Sequence, residues 1–210
     1  MNLKNFITFE GGECSGKTTI IKDIVKKFEE LGIDYITTRE PGGIPISEEI
    51  RDIILDVKNT DMSSECEALL YAASRIQHVK QKIIPALDSG KVVLCDRFLD
   101  SSLAYQGYAR GIGFEKILKA NEFSLEYLPG LTLFIDVKPE VALKRLHNKD
   151  RSNKADRLDK ESIEFHQRVY DGYIKVLEMY PDRIVRIDGN LDLETVSKNC
   201  VDTVLKYLGK

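Results

Sequence analysis

Chemistry is concentrated first at the N-terminal end, where Gly11, Gly16, Lys17 and Thr18 satisfy G-x-x-x-x-G-K-[ST] between an apolar run ending at Phe9 and an amphipathic stretch beginning near Lys17. Glycines at this spacing let successive backbone N–H groups curl round a phosphate, and the following helix adds its positive end. Gly11, Gly12, Glu13, Cys14, Ser15, Gly16, Lys17, Thr18 and Thr19 are therefore the expected phosphate cradle. Lys17 would reach the outer phosphates, and the Thr18 hydroxyl would ligate a Mg²⁺ shared between them; Thr19 assists without touching the metal. Asp96, at the end of the apolar run Val92-Val93-Leu94-Cys95, is the expected second metal group, since ligands in α/β sheets bind outside the carboxyl ends of strands. Arg97 follows at once and suits a phosphate.

Other stretches carry weaker signals. Thr38-Arg39-Glu40-Pro41-Gly42-Gly43 closes a short apolar run with a turn that leaves Glu40 free to face the site, and a cis bond before Pro41 is compatible with it. Tyr71 and Arg75 stand four apart on one expected helix face, an aromatic ring and a planar donor able to sandwich a base, although core plus surface is the favoured reading of the pair taken alone. Asn148 to Arg157 is polar except for Ala155 and carries four cations between two helices. A solvated loop is the plain reading of such a run, but beside a phosphate loop it reads as a mobile basic lid over about 148–157.

The elements that must position these residues follow from periodicity. After the loop, Ile21, Ile24, Val25, Phe28 and Leu31 recur at helical spacing and Gly32 stops the helix. Strands are expected before the loop, at Tyr35 to Thr38, Val92 to Cys95, Leu131 to Val137 and Ile184 to Ile187. Helices are expected at Ile46 to Val57, Ser64 to Lys82, Phe114 to Phe123, Glu140 to His147, Lys160 to Tyr180 and Leu193 to Leu208. Alternating strands and helices without repeats predict an α/β chain: a three-layer α/β/α sandwich with a five-stranded parallel sheet and about seven or eight helices.

With 210 residues, the chain suits one domain spanning 1–210. Its 42% hydrophobic and 31% charged residues argue against disorder, and a net charge of −3 argues against sequence-blind nucleic-acid binding. Cys14, Cys66, Cys95 and Cys200 lack C-x-x-C spacing, His78, His147 and His166 lack metal spacing, and no signal peptide or membrane-spanning run is visible. A reducing cytoplasm is the expected location, with no nucleic-acid or membrane partner.

Taken together, the phosphate loop, T-R-E-P-G-G at Thr38 to Gly43, Y-A-A-S-R at Tyr71 to Arg75, C-D-R at Cys95 to Arg97 and D-S-S-L-A-Y-Q-G at Asp100 to Gly107 resemble thymidylate kinase, a P-loop nucleoside monophosphate kinase, in register from first strand to last helix. The resemblance implies phosphoryl transfer from ATP-Mg²⁺ to thymidine monophosphate, giving the diphosphate for DNA precursors, in a cytoplasmic homodimer. By the same resemblance Tyr71 stacks on thymine, usually as phenylalanine in the family, and Arg75 and Gln106 bond the base edge. Arg51 and Arg97 hold the acceptor phosphate, Glu13 and Glu40 lie near sugar and metal, and Ser102 and Tyr105 line the acceptor pocket. Two departures stand out. Phe98 replaces the tyrosine or histidine frequent after Asp-Arg, and Cys14 replaces a loop arginine found in one branch. The chain thereby resembles the bacterial branch with a basic lid, and Arg151 and Arg157 become the expected transition-state cations beside Lys17 and Arg97.

Two other readings are weighed against this one. Adenylate, guanylate or deoxynucleoside kinases differ in the acceptor pocket and not in the loop. A GTP-driven switch would need D-x-x-G and N-K-x-D; the first is absent, and Asn148-Lys149-Asp150-Arg151 has its aspartate one place too early.

Overall fold

The structure is a computed structural model and describes residues 3–147, 157–158 and 161–210. Most of the expected lid, Arg151 included, lies outside the described residues; Arg157 lies within them.

Five parallel strands form one sheet in the order β2-β3-β1-β4-β5: β1 (Leu3–Glu10), β2 (Tyr35–Arg39), β3 (Val92–Asp96), β4 (Pro129–Asp136) and β5 (Ile184–Asp188). Since successive side chains point to opposite faces, each central strand feeds two cores. Phe6, Val93, Cys95 and Phe134 pack on one face against α3 (Ser64–His78) and α8 (Ile163–Met179), while Ile7, Phe9, Leu94, Leu133 and Ile135 pack on the other against α1 (Lys17–Leu31) and α9 (Leu193–Leu208). The sandwich is three-layered, as expected.

Boundaries follow local chemistry. Gly32 ends α1 in the left-handed conformation at φ 64°, and Ser63, Ser162 and Asp192 each cap a helix by accepting a backbone N–H. α2 (Pro45–Leu55) starts on a proline that has no N–H to lose.

Three helical expectations change. The helix expected to stop at Lys82 runs on through a π-turn, Val79–Ile83, into α4 (Ile84–Asp88), with Pro85 at its second position. Phe114 to Phe123 divides at Asn121 into α6 (Phe114–Ala120) and a 3₁₀ turn, Glu122–Tyr127. Periodicity gave no helix at all for 99–109, yet α5 (Leu99–Ser102) continues as a π-helical segment, Leu103–Ala109. Its polar residues hide it: Asp100, Ser102 and Gln106 are all buried. Gly172 lets α8 cross closely, since a Cβ there would sit 2.9 Å from the Ala104 carbonyl oxygen. With α7 (Pro139–His147), the described residues form nine α-helical segments, the surplus coming from these breaks.

Candidate functional site

Register brings the two motifs of the first strands together. Phe9 on β1 pairs with Asp96 on β3, so the loop after β1 and the Asp96-Arg97 corner leave the sheet side by side. Gly11 is obligatory at this crossing because a Cβ would lie 2.6 Å from the Ile135 carbonyl oxygen. Cys14 and Gly16 adopt positive φ, 53° and 95°, and α1 opens at Lys17. Lys17 Nζ donates to the Gly11 and Gly12 carbonyls at 3.1 and 3.0 Å and to Ser15 Oγ at 3.1 Å. Burial, then the neighbouring Arg97 guanidinium, push its ammonium pKa down. Cys14, Thr18 and Thr19 line the same open cleft with Asp96.

The donor set fits a small hard cation. Thr18 Oγ1 lies 3.4 Å from Asp96 Oδ2, while Asp96 Oδ1 is buried without a hydrogen-bond partner. Among the described residues no cluster of three or more acidic, histidine or cysteine side chains forms a cage. One carboxylate and one hydroxyl, with phosphates and water, is the usual set for Mg²⁺.

Arg97 is the seam. Its backbone is left-handed at φ 71°, an uncommon conformation outside glycine, and its N–H donates to the Phe9 carbonyl at 3.0 Å. Nη1 donates to the Gly11 carbonyl at 2.9 Å and Tyr173 Oη at 3.0 Å, Nη2 donates to Glu13 Oε1 at 2.5 Å, and the guanidinium lies over the Tyr105 ring. Burial alone would raise the Glu13 pKa, but Arg97, then Lys17 and the Tyr105 hydroxyl outweigh it and hold Glu13 at about 2. Behind them Glu10 is buried; it accepts from Phe98 N–H at 2.7 Å, Ser101 Oγ at 2.5 Å and Tyr173 Oη at 2.9 Å. Burial, followed by the Asp100 charge, lifts its pKa to about 7.

On the far side of Arg97 lies a second pocket, with Tyr71, Arg75, Tyr105 and Gln106 among its walls. Glu13, Glu40, Arg51 and Arg97 line both this cavity and the loop cleft, so the two are contiguous. Arg51 Nη1 donates to the Pro41 carbonyl at 2.9 Å, following a Glu40–Pro41 bond that is cis.

Three expected site residues have partners that the sequence does not show. Arg75 lines the pocket with Tyr71 and is held there by others: its guanidinium lies over Phe98, Nε donates to Glu40 at 2.8 Å, Nη1 to Asn121 at 2.6 Å and Nη2 to Ser102 Oγ at 3.0 Å. Ser102 braces Arg75 from below, and its neighbour Ser101 lines the cavity instead. Arg157 does not point to the phosphate loop. Its backbone N–H and Nε bond the Leu55 and Ile54 carbonyls at 3.2 and 2.9 Å, and Nη2 bonds Glu67.

Sequence reasoning missed several supports: Glu10, Glu67, Asn121, Tyr173 and His78, which joins Glu40 at 3.0 Å to Thr38 at 2.7 Å. Only Glu10, adjoining the loop, lay within reach of a local signal.

Comparison with known proteins decides between the monophosphate kinases. The family profile described as thymidylate kinase matches residues 9–200. The chain belongs to the thymidylate kinase family. It is 55% identical over 197 residues to the thymidylate kinase of Clostridium novyi, covering 93% of this chain and 96% of that one, and 53% identical to that of Halalkalibacterium halodurans, covering 97% of each. The crystal structure of thymidylate kinase from Ehrlichia chaffeensis superposes with a TM-score of 0.75 at 32% identity, over 98% of both chains. As a thymidylate kinase family member, the protein is an enzyme that phosphorylates thymidine monophosphate with ATP.

Proposed function

We propose that the loop cleft holds ATP and the pocket walled by Tyr71, Tyr105 and Gln106 holds thymidine monophosphate, its phosphate pointing toward Arg97 and Arg51. One observation carries this division: the two clefts share Glu13, Glu40, Arg51 and Arg97, so a phosphate leaving one passes directly into the other. Gly11 to Gly16 supply backbone N–H groups to the donor phosphates, Lys17 neutralises the outer ones, and Arg97 stabilises charge on the transferred group. Mg²⁺ would be held by Thr18 and Asp96 and would neutralise donor charge and orient the phosphates. Tyr71 supplies an aromatic wall for thymine, Gln106 a base-edge contact, and Arg75, locked by Glu40 and Ser102, a fixed cation on the cavity wall. Tyr105, whose hydroxyl donates to Glu13 at 3.1 Å, crowds the sugar 2′ position.

The product feeds DNA-precursor synthesis. The protein acts as a cytoplasmic homodimer, an assignment consistent with the exposed Leu69 on α3 and Phe123 beyond its neighbour α6 and with described helices too short or too polar to cross a membrane. Arg151 is retained as a lid cation.

A panel of monophosphate acceptors with ATP-Mg²⁺ tests the reading. Thymidine monophosphate should give the highest kcat/KM, the uridine analogue less, and purines almost nothing, because a pocket built for one base edge rejects bases that leave it unpaired. Comparable kcat/KM for a purine acceptor overturns it.

A further inference from the structure

Resting on that acceptor reading, we propose that Glu67 is a positioning residue for base recognition: its carboxylate fixes the Gln106 amide so that the carbonyl, and not the NH₂, is presented to the acceptor base. Glu67 lies in the first turn of α3, only 1% exposed. Its Oε1 accepts from Gln106 Nε2 at 2.8 Å and from Arg110 Nε at 3.3 Å; its Oε2 accepts from Arg110 Nη2 at 3.2 Å and from Arg157 Nη2. Glu67 is absent from the cavity wall, whereas Gln106 is part of it. The direct link from Glu67 to the cavity wall is therefore its bond to Gln106.

The chemistry is two-ended on one side and one-ended on the other. A primary amide offers either donors or an acceptor, but an ionised carboxylate only accepts. Two guanidinium groups and the amide bond keep Glu67 ionised despite burial. Turning the amide over would set its carbonyl oxygen against a buried carboxylate oxygen with no proton between them, an arrangement costly out of water. Gln106 is thus held with its acceptor available to the cavity. An acceptor there matches the ring N–H of a pyrimidine-2,4-dione and opposes the unprotonated ring nitrogen of a 4-aminopyrimidine. Thymine and uracil are admitted and cytosine is refused. The same carboxylate receives Arg157, so the chain beyond the polar segment is anchored to the group that orients the base reader.

The test uses the full chain with ATP-Mg²⁺ and measures kcat and KM for thymidine and deoxycytidine monophosphates in wild type, Glu67→Gln, Gln106→Ala and the double variant. Glu67→Gln should lower the thymidine-to-deoxycytidine ratio of kcat/KM about tenfold, chiefly through the thymidine monophosphate KM, leaving the ATP KM near wild type. In the Gln106→Ala background the same substitution should change that ratio less than about twofold, because the two residues act as one unit. An unchanged ratio in Glu67→Gln, or an undiminished effect in the Gln106→Ala background, overturns the inference alone. If Gln106→Ala itself leaves the ratio at its wild-type value, the acceptor reading falls and takes this inference with it. Should Glu67→Gln fail to fold, Gln106→Glu approaches from the other side. Its new carboxyl can hold the place of the amide only while it shares a proton with Glu67; when both groups ionise they repel and the side chain leaves the base, so the thymidine monophosphate KM should fall as pH is lowered. A KM profile parallel to wild type in that variant overturns the inference.

Discussion

The two halves of the site are built from different materials. The donor cleft is made largely of backbone: a turn of glycines, the first N–H groups of α1 and one lysine that folds onto the loop's own carbonyls. The acceptor cavity is made of side chains from separate elements, each held by others: Arg75 by Glu40, Asn121 and Ser102, and Gln106 by Glu67. A backbone site tolerates change in most of its side chains and fails at a few invariable atoms. A side-chain site spreads its energy over a network, so single losses are smaller and fall on specificity. Arg97 belongs to both, and the strained backbone that places it is the cost of that double service.

The largest effect should come from the donor half. Lys17→Ala should lower kcat by about 10³-fold with a smaller change in the thymidine monophosphate KM, because its charge matters most in the transition state. Steady-state kinetics with both substrates varied would check it, and an effect confined to the acceptor KM would place Lys17 in the acceptor half instead. Asp96→Asn should raise the Mg²⁺ concentration needed for half-maximal activity by about 10- to 100-fold, read from metal titrations at fixed ATP.

Effects on the acceptor half should be smaller and selective. Tyr105→Ala should narrow the preference for deoxy over ribo acceptors by about tenfold, measured as a ratio of kcat/KM; an unchanged ratio with both rates reduced would leave Tyr105 a packing residue. Arg157→Ala should raise the acceptor KM several-fold with kcat little altered, since its guanidinium serves Glu67. A fall in kcat of about 10³ would return Arg157 to the transferred phosphate.

The smallest effect concerns stability and pH. Glu10 holds its proton more tightly folded, at about 7, than at its ordinary 4.5, so its contribution favours the folded state below about 4.5 and is lost as pH rises to 7. Glu13 works oppositely: its contribution is present above 4.5 and disappears as pH falls toward 2. Tm measured against pH should therefore decline less between pH 4.5 and 7 in Glu10→Gln than in wild type. Equal slopes would show that Glu10 titrates normally.

The same division explains what could be read from the residues alone. Gly11, Gly16, Lys17 and Thr18 announce themselves because a phosphate cradle is local: its spacing is the mechanism. Central strands were equally plain, as burial on both faces leaves continuous apolar runs such as Val92 to Cys95. The segment from Leu99 to Ala109 was hidden because its buried face carries Asp100, Ser102 and Gln106, paired with partners distant in sequence, such as Arg183, Arg75 and Glu67. Periodicity registers apolar burial and is blind to polar groups that meet only in three dimensions. Resemblance supplied Arg75, Ser102 and Arg157 as site residues, but resemblance carries positions and not partners, so it missed that Ser102 and Glu67 act from behind.

Whether the two clefts meet at Arg97 is read from the affinity of a single molecule carrying thymidine at one end and adenosine at the other, joined by a polyphosphate bridge. Bound by titration calorimetry, it should exceed thymidine monophosphate and ATP each by about 10²-fold or more, since the second half binds at high effective concentration. Arg97→Ala should remove most of that gain while leaving each separate nucleotide less affected. An affinity no greater than that of the tighter half would mean that the clefts do not open onto one another at Arg97.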